Sequence, residues 1–548
     1  MFGAGGGTSS YREVEETDVL FLWGANAREN HPIFFHHVLK GVHRGARLFA
    51  VDPRRTPSAE WADAWLGLNV GSDIALANAM AREIIHAGLA NDAFIKHATT
   101  GFDAYKTCVE RYTLEFAERA TGVPADVIRQ AAHAYARADR AIICWTLGIT
   151  EHHNAVDNVL ALINLALLTG HVGRYGSGVN PLRGQNNVQG GGDMGAIPNR
   201  LVGFQDWTTD ESIRAKFERA WGVPLTPQYG KNLTQMFEAM EQGELHAIYA
   251  IGENPVSSEA DSQHATKLLE NLDTLIVQDL VMTKTAEIAD VVFPASNASF
   301  ESEGTVTNSE RRVQRVRKAL EPPGEAKDDI WIIAQLAKRL GYDWGDLTPR
   351  QAWDELRSLS PMHQGMTWER LDQMGGAQWP CWDVDHPGTQ YLHARLWSED
   401  PDERLAPAPF SVVDDDPPVD ELTEQFPIRL TTGRRLDSYN TGVQTAGYTS
   451  PLRRPESIEL SQEDAEALGL VEGEQALVSS RRGEVVAPVH VSSALRPGLA
   501  FMTMHFPDQV ETNRLTIEAT DPKSGTAEFK ATAIRVEKLN GRTAEVAS

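Results

Sequence analysis

The stretch "VNPLRGQNNVQGGGDMG", residues 179–195, holds one arginine, five side-chain amides and five glycines in seventeen positions. That much glycine disfavours a helix interior, and that many amides disfavour a core strand. The combination offers dense neutral hydrogen bonding on a backbone that another molecule can approach closely, beside one fixed positive charge. Shorter clusters of the same kind recur: Gly24-Ala25-Asn26, Asp52-Pro53-Arg54, Gly71-Ser72-Asp73, Gly148-Ile149-Thr150, Gly252-Glu253-Asn254 and Gln278-Asp279. Backbone N–H groups and neutral side chains in such places can cradle a large, polar, phosphate-bearing ligand. Any one cluster is an ordinary loop between strand and helix. Their repetition, together with 179–195, points to a ligand.

Other patterns carry less chemistry. "GAGGGT" (3–8) has the glycines of a phosphate loop, but no strand precedes it, so a flexible terminus is expected. His36-His37 and His152-His153 are adjacent pairs whose side chains diverge, and neither has a third ligand at metal spacing. Surface or internally satisfied positions are expected for them, and no protein-ligated metal site. The basic run "RRVQRVRK" (311–318) is expected to be solvated or acid-paired, and Cys144, between Ile143 and Trp145, to be a core thiol.

The clusters lie at the ends of apolar runs. "DVLFLWGAN" (18–26), "ARLFAVDPRR" (46–55), "AIICWTLGIT" (141–150), "AIYAIGENP" (247–255), "TLIVQDLVMT" (274–283) and "ADVVFPAS" (289–296) read as buried strands leading into polar turns. Amphipathic stretches between them, one in "GSDIALANAMAREIIHAG" (71–88) and one around 155–169, predict helices. Alternating strands and helices give an α/β fold with parallel sheets covered on both faces, whose ligands bind beyond the carboxyl ends of the strands. Near residue 400 the character changes. "SVVDDDPPVDELTEQFP" (411–427) reads as an acidic linker, and short strands separated by "RRGE", "LRPG" and "TDPKSG" predict a C-terminal β-barrel.

A length of 548 residues allows several domains, and 41% hydrophobic with 23% charged residues is enough to bury several cores. A net charge of -25 makes nucleic acid and anionic membranes unfavourable partners. No run of about 18 apolar residues predicts a membrane span. Met1–Gly5 lacks the basic and apolar regions of a signal peptide, and three distant cysteines without CxxC spacing suit a reducing compartment, so a cytoplasmic location is expected.

From about Glu16 to Lys538, the order "GAN…DPRR…GSDIAL…LGIT…RGQNNVQGGGDMG…GENP…QDLVMTKTAEIADVVFPA…ERRVQ" resembles the molybdopterin oxidoreductases of the dimethyl-sulfoxide-reductase superfamily. Within it, the chain is most similar to the catalytic α subunits of molybdenum or tungsten formate dehydrogenases. "RGQNNVQG" and "TKTAEIADVVFPA" are the most specific strings, and "LTTGRRLDSYNTGVQT" (430–445) is most like the soluble NAD-linked branch.

The resemblance implies Rossmann-like parallel sheets in two α/β domains (1–185 and 186–345), a connecting region (346–425) and a molybdopterin-dinucleotide-binding β-barrel (426–548). It implies two molybdopterin guanine dinucleotides held end to end around molybdenum or tungsten, which would account for the many neutral donors. One dinucleotide would lie against Asn26, Asp52, Arg54 and Asp73, and the other against Gly252, Asn254, Gln278, Asp279 and Thr283. Arg434, His505, Asn513 and Lys530 would close over the pterins, with Gly24, Gly71, Gly148, Thr150, Gly184, Gln185, Asn186 and Gly433 as further cofactor-binding positions. A strand-end aspartate suits guanine, whose N1–H and amino group both donate.

Arg183 is implied to orient formate, since a guanidinium offers a carboxylate a planar fork. Its bland alternative is a structural arginine bonding loop carbonyls. Formate oxidation to CO2 would pass electrons to a partner redox subunit. The family's [4Fe–4S] cysteines, its metal-ligating cysteine or selenocysteine and an adjacent histidine are expected upstream of "SSYREVEETDVLFLWGAN", outside residues 1–548, so a [4Fe–4S] cluster is expected only with that segment. Two other classes stay open. A pterin-holding fragment or assembly protein would retain cofactor without formate-dependent dye reduction, and a nicotinamide-dependent dehydrogenase would bind NADH directly.

Overall fold

The computed structural model describes residues 5–441 and 454–539. Its first sheet has strands β1 (Val19–Trp23), β2 (Arg47–Val51), β3 (Ala64–Leu66), β4 (Ala141–Trp145) and β5 (Gly178–Pro181), in the order β3-β2-β1-β4-β5. All neighbours are parallel. The two-residue period of a strand divides the apolar runs between two cores. Val19, Phe21 and Trp23 of β1, with Phe49 and Val51 of β2, pack against helices α2 (Asp73–His86), α3 (Ala125–Arg137) and α4 (Ala155–Thr169). Leu20, Leu22, Leu48, Ile142 and Cys144 face the other way, onto Phe34, Phe35 and Val38 of α1 (Pro32–His43). Both faces being covered, β1 and β4 carry no polar residue at all.

The strand order reverses between β1 and β4, which makes a crevice at their carboxyl ends. A second, smaller parallel sheet has β6 (Ala247–Ile251), β7 (Thr274–Asp279) and β8 (Val291–Pro294). An antiparallel group follows, β9 (Gly304–Thr307), β10 (Arg312–Val316) and β11 (Ala377–Gln378). The chain ends in a closed barrel of β12 (Ile428–Gly433), β13 (Ile458–Leu460), β14 (Gln475–Ser479), β15 (Glu484–Val491), β16 (Leu499–Thr503) and β17 (Thr532–Lys538). Closure leaves no free edge, which suits strands this short.

Two sequence expectations change. The acidic segment 411–427 is no loose linker. Asn164 Nδ2 donates to the Ser411 carbonyl at 2.7 Å, and Asn78 Nδ2 donates to the Val413 carbonyl at 3.0 Å. Asp420 is buried and receives Arg482 Nη2 at 2.7 Å and the Ala533 N–H at 2.9 Å. Composition cannot show this, because the partners that satisfy the strap lie 62 to 335 residues away. Nor are residues 5–8 of the "GAGGGT" run a flexible end, although Gly3 and Ala4 lie outside the described residues. The Thr8 N–H bonds the Val179 carbonyl at 3.1 Å, and a Cβ on Gly6 would meet the Trp379 ring at 2.9 Å. In the basic run, Arg315 and Arg317 pair with Asp372 as expected, whereas Arg311 is buried and donates to the carbonyls of Gly7, Trp379, Thr389 and Gln390.

Candidate active site

A cavity of about 570 Å³ lies between the carboxyl edge of the first sheet and the barrel. Its wall takes Gly24 and Asn26 after β1, Asp52 and Arg54 after β2, Gly71 and Asp73 at the start of α2, and Gly148 after β4. Gly184 and Gln185 come from the loop after β5, and Gly433, Arg434 and Lys530 from the barrel. Twelve of the positions expected to bind a cofactor are thus brought together at the crevice where the strand order reverses.

Gly24 and Gly148 explain how the crevice narrows there. Gly24 has φ +56°, and a Cβ on it would lie 2.8 Å from the Gly148 backbone, while one on Gly148 would lie 2.6 Å from Gly24 Cα. Two backbones touch where side chains cannot fit. Thr146 Oγ1 fixes the contact by donating to the Gly24 carbonyl at 2.5 Å.

The wall carries both signs of charge. Asp73 accepts the Trp23 Nε1–H at 2.7 Å, and burial pushes its carboxyl up to about 6. Burial also raises the Asp52 carboxyl, opposed by the neighbouring Arg54, whose N–H it accepts at 2.9 Å. The Arg54 guanidinium stacks 3.5 Å from the centre of the Phe501 ring and has no salt bridge among the described residues. Lys530 ties the barrel down, pairing with Glu151 at 2.6 Å and donating to the Thr432 carbonyl at 3.1 Å. Asn26 is occupied internally by Glu29 and Ser58.

Three polar atoms in this region, Asn30 Oδ1, His31 Nδ1 and Arg434 Nε, are buried without a partner among the described residues. Orphaned buried polar atoms are costly and call for an explanation. A ligand with both acceptors and donors supplies one: phosphates for Arg54 and Arg434, and base or ring N–H groups for the carboxylates. His31 was not singled out from the sequence. Its signal is a histidine immediately before Pro32, the first residue of α1.

Other expected positions lie apart. Thr150, Asn186, His505 and Asn513 are not on this wall. His505 is fully buried, donating Nδ1–H to the Asn440 carbonyl at 2.8 Å and accepting the Arg435 N–H on Nε2 at 2.9 Å, so it shapes the barrel loop from behind. Asn186 bonds Ser299 at 3.4 Å, and Thr150 ends a short helix, Leu147–Thr150. Gly252, Asn254, Gln278, Asp279 and Thr283 gather at the carboxyl edge of the second sheet. There Asn254 Oδ1 accepts the Thr285 hydroxyl at 2.8 Å, and Asn513 donates to the carbonyls of Ser257 and Ser258 at 3.1 and 3.3 Å. Asn254 Nδ2, Asn513 Oδ1, Ser257 Oγ and Ser262 Oγ are buried and unpartnered among the described residues.

Arg183 follows Leu182 on the same loop, yet it is absent from the cavity wall. Its Nε–H donates to Gln189 Oε1 at 3.1 Å and one Nη2–H to the Gly5 carbonyl at 2.9 Å. Its own N–H bonds Ser309 Oγ at 3.0 Å, and its carbonyl receives His31 at 2.9 Å. Asp193 nearby accepts Gln189 and Trp379 N–H groups at 2.8 and 2.7 Å, and burial pushes it up to about 6.

His152 and His153 are buried polar positions, as expected, held by Glu528 of the barrel at 3.2 and 3.4 Å. No group of three or more metal-ligating side chains occurs among the described residues.

Residues 4–339 match the model of the family described as "Molybdopterin oxidoreductase". The chain belongs to that family. Residues 428–533, the barrel, match the "Molydopterin dinucleotide binding domain", so this molybdopterin oxidoreductase carries its cofactor-binding domain in the same polypeptide. Two relatives of high similarity extend the match over nearly the whole chain. An F420-dependent formate dehydrogenase 2 subunit alpha of Methanococcus maripaludis is 40% identical over 98% of this chain and 79% of its own length. Formate dehydrogenase H of Escherichia coli is 38% identical over 98% of this chain and 75% of its own. Among solved structures, acetylene hydratase from Pelobacter acetylenicus shares the fold, with a TM-score of 0.75 at 22% identity over 97% of this chain and 79% of that one. The orphaned donors and acceptors of the cavity and the mixed charge of its wall fit a molybdopterin dinucleotide.

Proposed function

We propose that this molybdopterin oxidoreductase oxidises formate to CO2. HCOO⁻ gives CO2, one proton and two electrons, and the electrons pass to a separate redox subunit. The relatives named as formate dehydrogenases carry the choice of substrate. The observation within this chain that supports it is Arg183. Among the described residues, the five N–H donors of its guanidinium meet only Gln189 and Gly5, which leaves an Nη1–Nη2 edge for a carboxylate.

On this reading Gln189 and Gly5 hold the fork rigid, and its free edge takes both formate oxygens, so the C–H bond points away from the guanidinium. Asp193 partly offsets the buried charge without capturing the fork. When bound, the molybdopterin-held metal supplies the two-electron acceptor. We assign two dinucleotides. One lies along Gly24, Asn26, Asp52, Arg54 and Asp73, and the other along Gly252, Asn254, Gln278, Asp279 and Thr283, with the barrel residues Arg434, Asn513 and Lys530 between. His505 supports them through Asn440. We take 1–185, 186–345, 346–425 and 426–548 as the units, with β11 of the third pairing with β10 of the second. The unpaired Cys108, Cys144 and Cys381 favour a cytoplasmic setting.

The test is formate-dependent dye reduction by the cofactor-loaded enzyme. Arg183→Lys keeps the charge and removes the fork, so kcat/KM for formate should fall roughly ten- to a hundredfold with cofactor content unchanged. Unaltered formate kinetics in Arg183→Ala would reduce the arginine to a loop brace.

A further inference from the structure

His31 stands between the cavity and Arg183. One ring nitrogen, Nε2, lies 2.9 Å from the Arg183 carbonyl. A carbonyl only accepts, so Nε2 carries the hydrogen. The other nitrogen, Nδ1, is buried, has no partner among the described residues, and belongs to a side chain that lines the cavity. Burial beside Arg434 depresses protonation of this ring, which keeps it neutral and leaves Nδ1 as a bare lone pair. The backbone that carries the ring is fixed as well. His31 caps α1, whose Pro32 restricts the residue before it, and the Phe35 N–H is tied to the His31 carbonyl at 2.9 Å. On the far side, the Arg183 N–H is anchored to Ser309, so the peptide His31 touches is held at both ends.

We infer that His31 is a positioning residue that joins the two binding events: its Nδ1 accepts a hydrogen bond from an N–H or O–H of the dinucleotide cofactor, while its Nε2–H holds the backbone that carries Arg183. This deepens the formate reading and rests on it for the Arg183 half, but the cofactor half stands on the orphaned nitrogen alone. A fixed tautomer makes the ring directional. A donor on the cavity side satisfies Nδ1 and strengthens Nε2–H as a donor to the carbonyl. The formate-orienting loop is therefore set when the cofactor is in place, and is less constrained before.

Two substitutions separate the halves, because an amide can stand in for either nitrogen. In His31→Gln the Nε2 amide reaches the Arg183 carbonyl, and the acceptor toward the cavity is lost. In His31→Asn the Oδ1 acceptor stays near Nδ1, and the donor to Arg183 is lost. Cofactor retention is read as GMP released by acid per polypeptide after extensive dialysis, and formate kinetics are normalised to that content. His31→Gln should retain several-fold less cofactor, with kcat/KM per loaded enzyme near that of the parent. His31→Asn should retain cofactor and lose about tenfold in kcat/KM for formate. Both variants losing retention and kinetics in parallel, or neither losing either, would overturn the inference. Arg183→Lys is the control. If it leaves formate kinetics unchanged, the formate reading fails, while the retention difference between Gln and Asn still decides the cofactor half.

Discussion

A carboxyl pushed up to about 6 by burial, as Asp73 is, makes the protein less stable than its contacts alone would give. The sign follows from linkage. The folded-state value lies above the ordinary 3.8, so the native state favours the neutral acid, and stability is lost as pH rises through the interval between them. At pH 7 the buried Asp73 carboxylate therefore carries a penalty on the order of 3 kcal/mol. Asp73→Asn keeps an acceptor for Trp23 and removes the charge. In the cofactor-free protein it should raise Tm at pH 8 and lose that advantage near pH 4, read by thermal unfolding at the two pH values. The same variant should retain less guanine nucleotide, since a carboxylate is the better partner for two donors. Much at this scale is legible in sequence, because Asp73, Asp52 and Asn26 sit where a strand or helix boundary announces a binding edge. His31 is not, because its meaning depends on Arg183, 152 residues on.

At the scale of elements, the apolar runs of β1 and β4 are plain from their lack of polar residues, and that of β2 from the four apolar residues after Arg47. What they do not disclose is their order, hence that Gly24 and Gly148 meet. A methyl on Gly148 would lie 2.6 Å from the Gly24 backbone, and neither side is a flexible side chain that can yield. Gly148→Ala should therefore cost roughly 1–3 kcal/mol in chemical denaturation and splay the crevice, with cofactor content falling alongside. A neutral effect on both would mean the strand ends have slack that the backbone contact denies. The strap 411–427 teaches the complementary point. Its prolines and acids describe a linker, and partners elsewhere in the chain, the asparagines of α2 and α4 among them, turn it into a fixed element.

The whole molecule depends on the barrel staying seated over the first sheet. Glu528 is the latch, buried between His152 and His153 and also receiving the His153 N–H at 3.1 Å. Its carboxyl is held well below the ordinary range, chiefly by His152, against the opposing effect of burial. Glu528 raises both imidazoles against desolvation, with Asp73 assisting at His152 and Asp416 at His153. The carboxylate's contribution is present above its unfolded value and lost as pH falls through its lowered one. The histidines' contribution is present below about 6.5 and lost as pH rises through their raised values. Docking should be firmest in mildly acid solution and weaken above neutrality. Glu528→Gln should flatten that profile in Tm measured from pH 5.5 to 8.5, and cost about 3 kcal/mol by removing the buried counter-charge that the two imidazoles share. An unchanged profile would remove Glu528 from the seating of the barrel.

The central claim is that both parallel sheets and the barrel together hold a pair of molybdopterin guanine dinucleotides for formate oxidation. The most direct measurement is the GMP released by acid hydrolysis of protein purified from metal-replete, cofactor-competent cells. Close to two GMP per polypeptide are expected, matching the two strand-end clusters. No GMP from such protein would contradict the claim.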